Sequence, residues 1–309
     1  MDILVFRNDL VRAIRSYFHD ENVLEVTTPL LRQSGAVEVH LDSVRTVGEP
    51  GHFLQTSPEY AMKALVAKYG YSIFQICPAV RGGEQGSRHR VEFQMLEWYR
   101  RGFELGDLAI DLRRLLNHIG RTLEHDHELN VGLSNVAEVS YKHLFLDAYG
   151  INPHEATRHE LSQLATRMGL THLAADCNDV DYLDGLFSAG IEASLEEPVI
   201  VTDYPACQAS LAEVRVDAAG DMVSTRFELI AGGLEIANAY QELDDHRELL
   251  ERLGEFNRQR QLLGKVFMEP DRELLEATGS IGIYSGIALG LDRLAMVLLG
   301  LDSIDQVTL

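Results

Sequence analysis

Val80–Arg101 reads VRGGEQGSRHRVEFQMLEWYRR, and its two halves follow different rules. The first half holds Gly82, Gly83 and Gly86 with Arg81, Arg88, His89 and Arg90, which is loop chemistry. From Val91 the pattern alternates, and alternate side chains of a strand share a face. Phe93, Met95, Glu97 and Tyr99 therefore line one face, and Glu92, Gln94, Leu96 and Trp98 the other. Upstream, Tyr71–Ile76 also reads as a strand, so the region predicts an antiparallel hairpin with a long cationic loop at 78–90. An aromatic and a carboxylate on the face shared with such a loop could hold a purine and an amine. An amphipathic strand with a solvated Glu97, ending a wet turn, satisfies the same parity.

The loop stands out because the chain around it is acidic, with a formal charge of −21 over 309 residues. Nucleic-acid binders draw most of their non-specific affinity from a basic face. A small basic loop in an acidic protein suits a small anionic ligand, such as a nucleotide. No run of 18 apolar residues and no charged-then-apolar leader is present, so neither a membrane span nor a secretory signal is expected. Cys77, Cys177 and Cys207 show no metal-ligand spacing and fit a reduced cytoplasm.

Working outward, Phe6, Leu10, Ile14 and Phe18 recur at helical spacing, and Asn22 ends that helix. Val23–Thr28 reads as a strand stopped by Pro29. Ser57-Pro58-Glu59 reads as a helix start and Gly70 as its stop. Further helices are expected at about 108–119, after a capping box of Thr157 and Glu160, and over His246–Leu263 between Asp245 and Gly264. Val199–Thr202 is a strand. Phe227–Ile230 and Leu234–Tyr240 flank Gly232-Gly233 as a second hairpin. SGIALGLDRLAMVLLG, at 285–300, runs from strand into helix. Strands far apart in sequence with helices between them predict one α+β domain over 1–309, an antiparallel β-sheet flanked by helices.

The second hairpin carries Glu228, Glu235, Asn238, Glu242, Asp244 and Asp245. Carboxylates facing one another are costly to bury without a cation, and oxygen-only donors suit Mg2+; a wet acidic hairpin is the plain alternative. Gly290-Leu291-Asp292-Arg293 puts an arginine at a helix start, where it could clamp a phosphate.

The order of these pieces resembles the catalytic domain of class II aminoacyl-tRNA synthetases, with motif 1 at about 5–30, motif 2 at about 73–100 and motif 3 at about 284–300. TSPEY (56–60), EFQMLEWY (92–99) and EIANAYQEL (235–243) resemble the lysine branch of that class. Ala288, five residues before Arg293 where that branch has glycine, and YPACQASLA (204–212) are similar to the elongation factor P lysine ligase family. So is the absence of room before Pro29 for an anticodon-binding domain. The resemblance implies ATP-dependent activation of (R)-β-lysine as an adenylate and its transfer to a lysine of elongation factor P, not to tRNA. It implies ATP and Mg2+ as cofactors, a cytoplasmic enzyme, no membrane, and a homodimer through motif 1.

Residue by residue, the resemblance gives Arg81 the α-phosphate and Arg293 the γ-phosphate end, as the two catalytic arginines. His89 and Phe93 bracket adenine, and Glu228 and Glu235 carry Mg2+, with Glu228 thereby in the ATP site. Glu59 binds the amino group near the reacting carboxylate. Glu97, Asn238 and Glu242 receive the side-chain ammonium between Tyr99 and Tyr240, over a floor raised by the Ala288 methyl. Motif 2 departs from the family's Arg-x-Glu, because Gly83 stands where a glutamate is expected; Glu84 is the candidate to take over its role toward ATP. A ligase for another amino acid or acceptor, and a weakened paralogue that binds and regulates, remain alternatives.

Overall fold

Phe6, Leu10, Ile14 and Phe18 form the buried stripe of α1 (Ile3–Asp20) in the computed structural model of the chain. The structure describes residues 2–48, 51–171, 173 and 177–308. Asp2 caps α1 by accepting from Leu4 N at 3.0 Å, and Asn22 ends it at a left-handed φ of 55°. The chain divides into two compact units, one made of the segments up to Ser134 and from Gln241 on, the other of Asn135–Tyr240.

In unit 1, α1 is followed by β1 (Leu24–Glu25), the small ladder of β2 (Leu31–Arg32) and β3 (Phe53–Leu54), α2 (Glu59–Tyr69), β4 (Ile73–Val80), β5 (Glu92–Arg101) and α3 (Leu105–Leu123). The expected first strand shrinks to two residues, parallel to β4. Val26 N still reaches Phe74 O at 2.9 Å. Thr28 N, however, is taken by the Gln75 side chain at 2.9 Å, which ends the ladder before Pro29. The hairpin is as expected, β4 and β5 pairing from Ile73–Tyr99 to Val80–Glu92, with its loop starting at Arg81 rather than at residue 78. The helix expected at 108–119 is longer at both ends, because Glu104 and Asp107 form a capping box ahead of it. Phe18 stacks on Phe74 at 4.5 Å and meets Trp98 edge-on at 5.4 Å, so α1 is pinned to both strands of the hairpin. Truncating such a ring to Ala costs roughly 3–5 kcal/mol.

Unit 2 runs β6 (Ala137–Ser140), α4 (Tyr141–Tyr149), α5 (Arg158–Arg167), α6 (Asp179–Gly190), β7 (Val199–Pro205), β8 (Val214–Val216), β9 (Met222–Ala231) and β10 (Leu234–Gln241). β9 and β10 form the second expected hairpin, turning at Gly232 and Gly233 with φ of 60° and 66°, the left-handed pair that a tight hairpin turn requires. β7 pairs antiparallel to β9 and parallel to β6, and β8 pairs with β9. Helices α4–α6 were the least legible part of the sequence. Their Tyr141, Phe145, Leu161, Leu164, Tyr182 and Leu186 form one core with Val201 and Ile230 of the strands. The Thr157–Glu160 capping box is made as expected.

The chain then returns to unit 1 with α7 (His246–Leu262), α8 (Arg272–Ala277), β11 (Tyr284–Gly290) and α9 (Leu291–Leu298). β11 is antiparallel to β5, from Tyr284–Arg101 to Gly290–Met95. Asp292, in the first turn of α9, is buried; it accepts from Gln94 N at 2.7 Å and pairs with Arg7 of α1. One carboxylate thus joins motif 1, motif 2 and motif 3. The architecture is α+β, as the sequence predicts.

Candidate active site

Helix α2 begins with Glu59, and four residues on is Lys63, one turn later on the same face. Lys63 Nζ lies 2.6 Å from Glu59 Oε1 and 2.6 Å from Glu242 Oε2, just beyond β10. The Lys63 side chain is 3% exposed and that of Glu242 2%. Burial lowers the lysine pKa, but Glu242 and Glu59 outweigh it and hold the ammonium charged. Glu97 completes the group from β5. It is buried, accepts from Tyr99 OH at 2.7 Å, and its Oε2 has no hydrogen-bond partner among the described residues. A solvated Glu97 is therefore excluded. Burial first, then Glu59 and Glu242, push its carboxyl up to about 8 against the pull of Tyr99 and Lys63.

β11 frames this cluster through its register, with Ala288 opposite Glu97 and Gly286 opposite Tyr99. A Cβ at Gly286 would run into the Tyr99 ring and the Glu242 carboxylate, so only glycine allows that approach. Glu59, Glu97, Tyr99, Glu242 and Ala288 are thus brought together as the sequence implied. Lys63 was missed; the E-x-x-x-K spacing inside TSPEYAMK was the signal that could have found it.

The cationic loop forms a second group in unit 1. Arg81 donates to Thr56 O at 3.2 Å, and its guanidinium lies 5.2 Å from the Phe93 ring centre. Glu84 Oε1 is 3.8 Å from Arg81 Nη1. Gly83 sits at φ 80° with open space around it, so backbone conformation rather than room favours glycine there. His89 is on the exposed turn closed by Gly86 N to His89 O at 3.0 Å. Arg293 donates to Arg88 O at 3.4 Å, which sets motif 3 against the motif 2 loop.

Unit 2 holds the other acidic group. Glu228 of β9 takes Tyr204 OH at 2.7 Å, Asn238 Nδ2 at 3.5 Å and the Arg226 guanidinium. Arg226 lies over the rings of Tyr204, at 4.4 Å, and Tyr240, at 5.4 Å. Asn238 and Tyr240 are thus placed by the β9–β10 register, which sets them opposite Glu228 and Arg226. Burial raises the Glu228 pKa, Arg226 opposes it, and Glu235 pushes it further up. Glu235 N is tied to Glu192 Oε1 at 2.9 Å. Arg226 and Tyr204 were also missed, although R-F-E puts Arg226 on the Glu228 face of the strand.

Buried carboxylates beside an arginine-bearing hairpin loop, closed by a strand-to-helix junction that carries a second arginine, are the three signature motifs in space. The family model for tRNA synthetases class II (D, K and N) matches residues 1–309. The chain belongs to that family. It is similar to the elongation factor P–(R)-β-lysine ligase of Vibrio atlanticus (strain LGP32), 38% identical, with 98% of this chain and 93% of that protein covered. The ligase of Actinobacillus succinogenes is also 38% identical, covering 99% and 94%. That of Salmonella typhi is 36% identical, covering 98% and 93%. The expected resemblance to the elongation factor P lysine ligases is therefore borne out.

The family implies Mg2+, and the unit 2 donors suit it. Glu228 and Glu235 are oxygen donors near enough for one to raise the other's pKa, and a divalent cation would relieve that repulsion.

Proposed function

We propose that this chain, an ATP-dependent ligase, activates (R)-β-lysine as its adenylate and transfers the β-lysyl group to a lysine amine of elongation factor P. The observation that carries this reading is the buried Glu59, Glu97 and Glu242 group around Lys63, a concentration of negative charge suited to the two amino groups of a diamino acid. The relatives bear names that state the same acceptor and amino acid. One family model spans both units, and we take them as parts of one catalytic domain.

In the reaction, a carboxylate oxygen of the amino acid attacks the α-phosphorus of ATP in line, and pyrophosphate leaves. The acceptor amine then attacks the carbonyl of the mixed anhydride; an amide bond forms, AMP leaves and the amine loses a proton. Arg81 holds the α-phosphate and Arg293 the γ-phosphate end. Charge stabilised by fixed cations in a site closed to water is worth far more than in solution. Phe93 and His89 bracket the adenine, and Glu84 takes over from the missing motif 2 glutamate. Glu228 and Glu235 would hold Mg2+, which supplies charge neutralisation on the phosphates. Glu59 takes the amine near the reacting carboxylate. Glu97 and Glu242 take the distal ammonium, with Tyr99 as a wall and Ala288 setting the floor. Holding both reactants in this way is worth roughly 7–11 kcal/mol when geometry is ideal.

The acidic charge disfavours tRNA as acceptor. No described helix is long and apolar enough to cross a membrane. Leu4 and Val5 of α1 are exposed apolar residues at the expected dimer surface, and light scattering tests whether two copies associate there. ATP–pyrophosphate exchange with (R)-β-lysine, with α-lysine and without amino acid tests the activation step. Exchange with (R)-β-lysine and label transfer to elongation factor P are the expected results. Exchange with no amino acid at all refutes the enzyme reading, and transfer to tRNA refutes the acceptor.

A further inference from the structure

Lys63 is an unusual residue to find in a pocket end meant for ammonium, because it is itself a buried ammonium. Its Nζ is shared between Glu59 and Glu242, at 2.6 Å from each. These are the carboxylates that the functional reading places at opposite ends of the amino acid. The third carboxylate, Glu97, is not an ion-pair partner of Lys63; it accepts from Tyr99 and keeps one buried oxygen without a hydrogen-bond partner among the described residues.

We propose that Lys63 is a positioning residue: it ties Glu59 to Glu242, takes up charge on both, and thereby leaves Glu97 as the carboxylate that meets the substrate's distal ammonium. The proposal rests on the functional reading above and assigns work within its pocket. A buried carboxylate oxygen with no donor is costly unless a ligand supplies one. Two carboxylates already bridged by an internal cation have less to offer an incoming one.

The electrostatics agree with the geometry. The groups that face Glu97 are Glu59 and Lys63 of α2, Tyr99 of β5, Cys77 of β4 and Glu242 beyond β10. Tyr284 of β11 and Glu38 border the same charges. The balance holds Glu97 protonated near neutral pH. An ammonium arriving there has to displace that proton, so binding releases it and strengthens as pH rises through about 8. Lys63 is the one cation among these groups that favours ionised Glu97. Without it the proton is held more tightly.

The test is calorimetric binding of (R)-β-lysine, with α-lysine as comparison, in buffers of different ionisation heat, alongside the pH profile of KM in ATP–pyrophosphate exchange. Wild type should release a proton on binding, and Glu97→Gln should abolish that release. Lys63→Met should raise KM about tenfold or more, around 1.4 kcal/mol, with the loss falling mainly on KM and the pH inflection moving upward. Lys63→Arg keeps the charge and should restore the inflection while KM stays raised; it also decides the matter if Lys63→Met does not fold. A lowered melting temperature with unmoved KM and unmoved inflection would reduce Lys63 to a packing residue and overturn the proposal. So would proton release that persists in Glu97→Gln. If wild type binds neither diamino acid, the functional reading itself fails and takes this proposal with it.

Discussion

The two acidic groups solve the same problem differently. Each buries carboxylates and each supplies its own cation, but one uses lysine and the other arginine. In unit 1, Lys63 is a point charge shared by Glu59 and Glu242. In unit 2, Arg226 pairs with Glu228, donates to Gln208 O at 3.0 Å and lies over Tyr204 and Tyr240. An ammonium on a flexible stem can bridge carboxylates from two elements; a planar guanidinium locks one and stacks. The unit 1 group therefore keeps a carboxylate, Glu97, whose charge is left to a ligand. In the unit 2 group both oxygens of Glu228 are already engaged, by Arg226 and by Tyr204. The first arrangement is a binding site with an adjustable charge, the second a rigid frame that sets where a carboxylate points.

That contrast breaks most visibly if the arginine is removed. Arg226→Met leaves Glu228 buried without its guanidinium, and losing one partner of a buried pair costs roughly 3–5 kcal/mol. Thermal melts should show it as a large drop. Lys63→Met should cost less, because no guanidinium stacked on two rings is lost with it. Equal drops in the two variants would mean that the lysine bridge is as structural as the arginine frame.

Glu97→Gln sharpens the comparison next. Losing a charged hydrogen bond to the distal ammonium should lower kcat/KM for (R)-β-lysine by about 1.5–3 kcal/mol, or roughly ten- to a hundredfold. Its effect on stability runs the other way with pH. Glu97 has a folded pKa raised from 4.5 to about 8. Below 4.5 both states hold the proton, so the group is neutral to stability there. Between these values the unfolded chain releases its proton and the folded chain keeps it, so stability falls as pH rises through the window. Glu97→Gln should flatten that part of the melting-temperature profile. An unchanged slope would mean that Glu97 is ionised in the folded protein.

Much of this was legible in the chain. Helix α1, both hairpins and the strand-to-helix junction at Arg293 follow from spacing and turn residues, since each is a local pattern repeated on one face. Glu59, Glu97 and Glu242 were named from the family's wording and do meet. What stayed hidden was tertiary. No local pattern says that Lys63 on α2 reaches a carboxylate nearly 180 residues away, or that Asp292 pairs with Arg7. Parity left Glu97 open to solvent; only the fold gathers Glu59 and Lys63 of α2 and Glu242 around it. The helices α4–α6 were hard to read because polar caps and short apolar stretches alternate there, and their core closes against strand residues such as Val199, Val201, Tyr204 and Ile230.

Ala288 probes the same unit 1 group at smaller scale. It is the register partner of Glu97, so its methyl borders the carboxylate that the substrate would meet. Ala288→Gly should shift the preference between (R)-β-lysine and α-lysine in pyrophosphate exchange by about 1–3 kcal/mol, the usual worth of one methyl group in a pocket. Identical ratios before and after would remove Ala288 from the specificity argument.

The smallest effect is expected where the cation is loosely held. Arg81 and Glu84 are 3.8 Å apart and both partly exposed, so their pairing is worth little by itself. The missing motif 2 glutamate makes this the natural place to look for lost activity. Yet the loop bends at Gly83 with φ 80° and leaves open space around it. A side chain there is disfavoured by the backbone, by roughly 1–2 kcal/mol, and not by crowding. Restoring the family residue as Gly83→Glu should therefore strain the loop rather than improve it, raising KM for ATP a few-fold, and Gly83→Ala should do nearly the same. Glu84→Gln should raise KM for ATP by a similar factor if Glu84 has taken over the nucleotide contact. A Gly83→Glu variant that binds ATP better than wild type would show that the loop can rearrange and that Glu84 is no substitute.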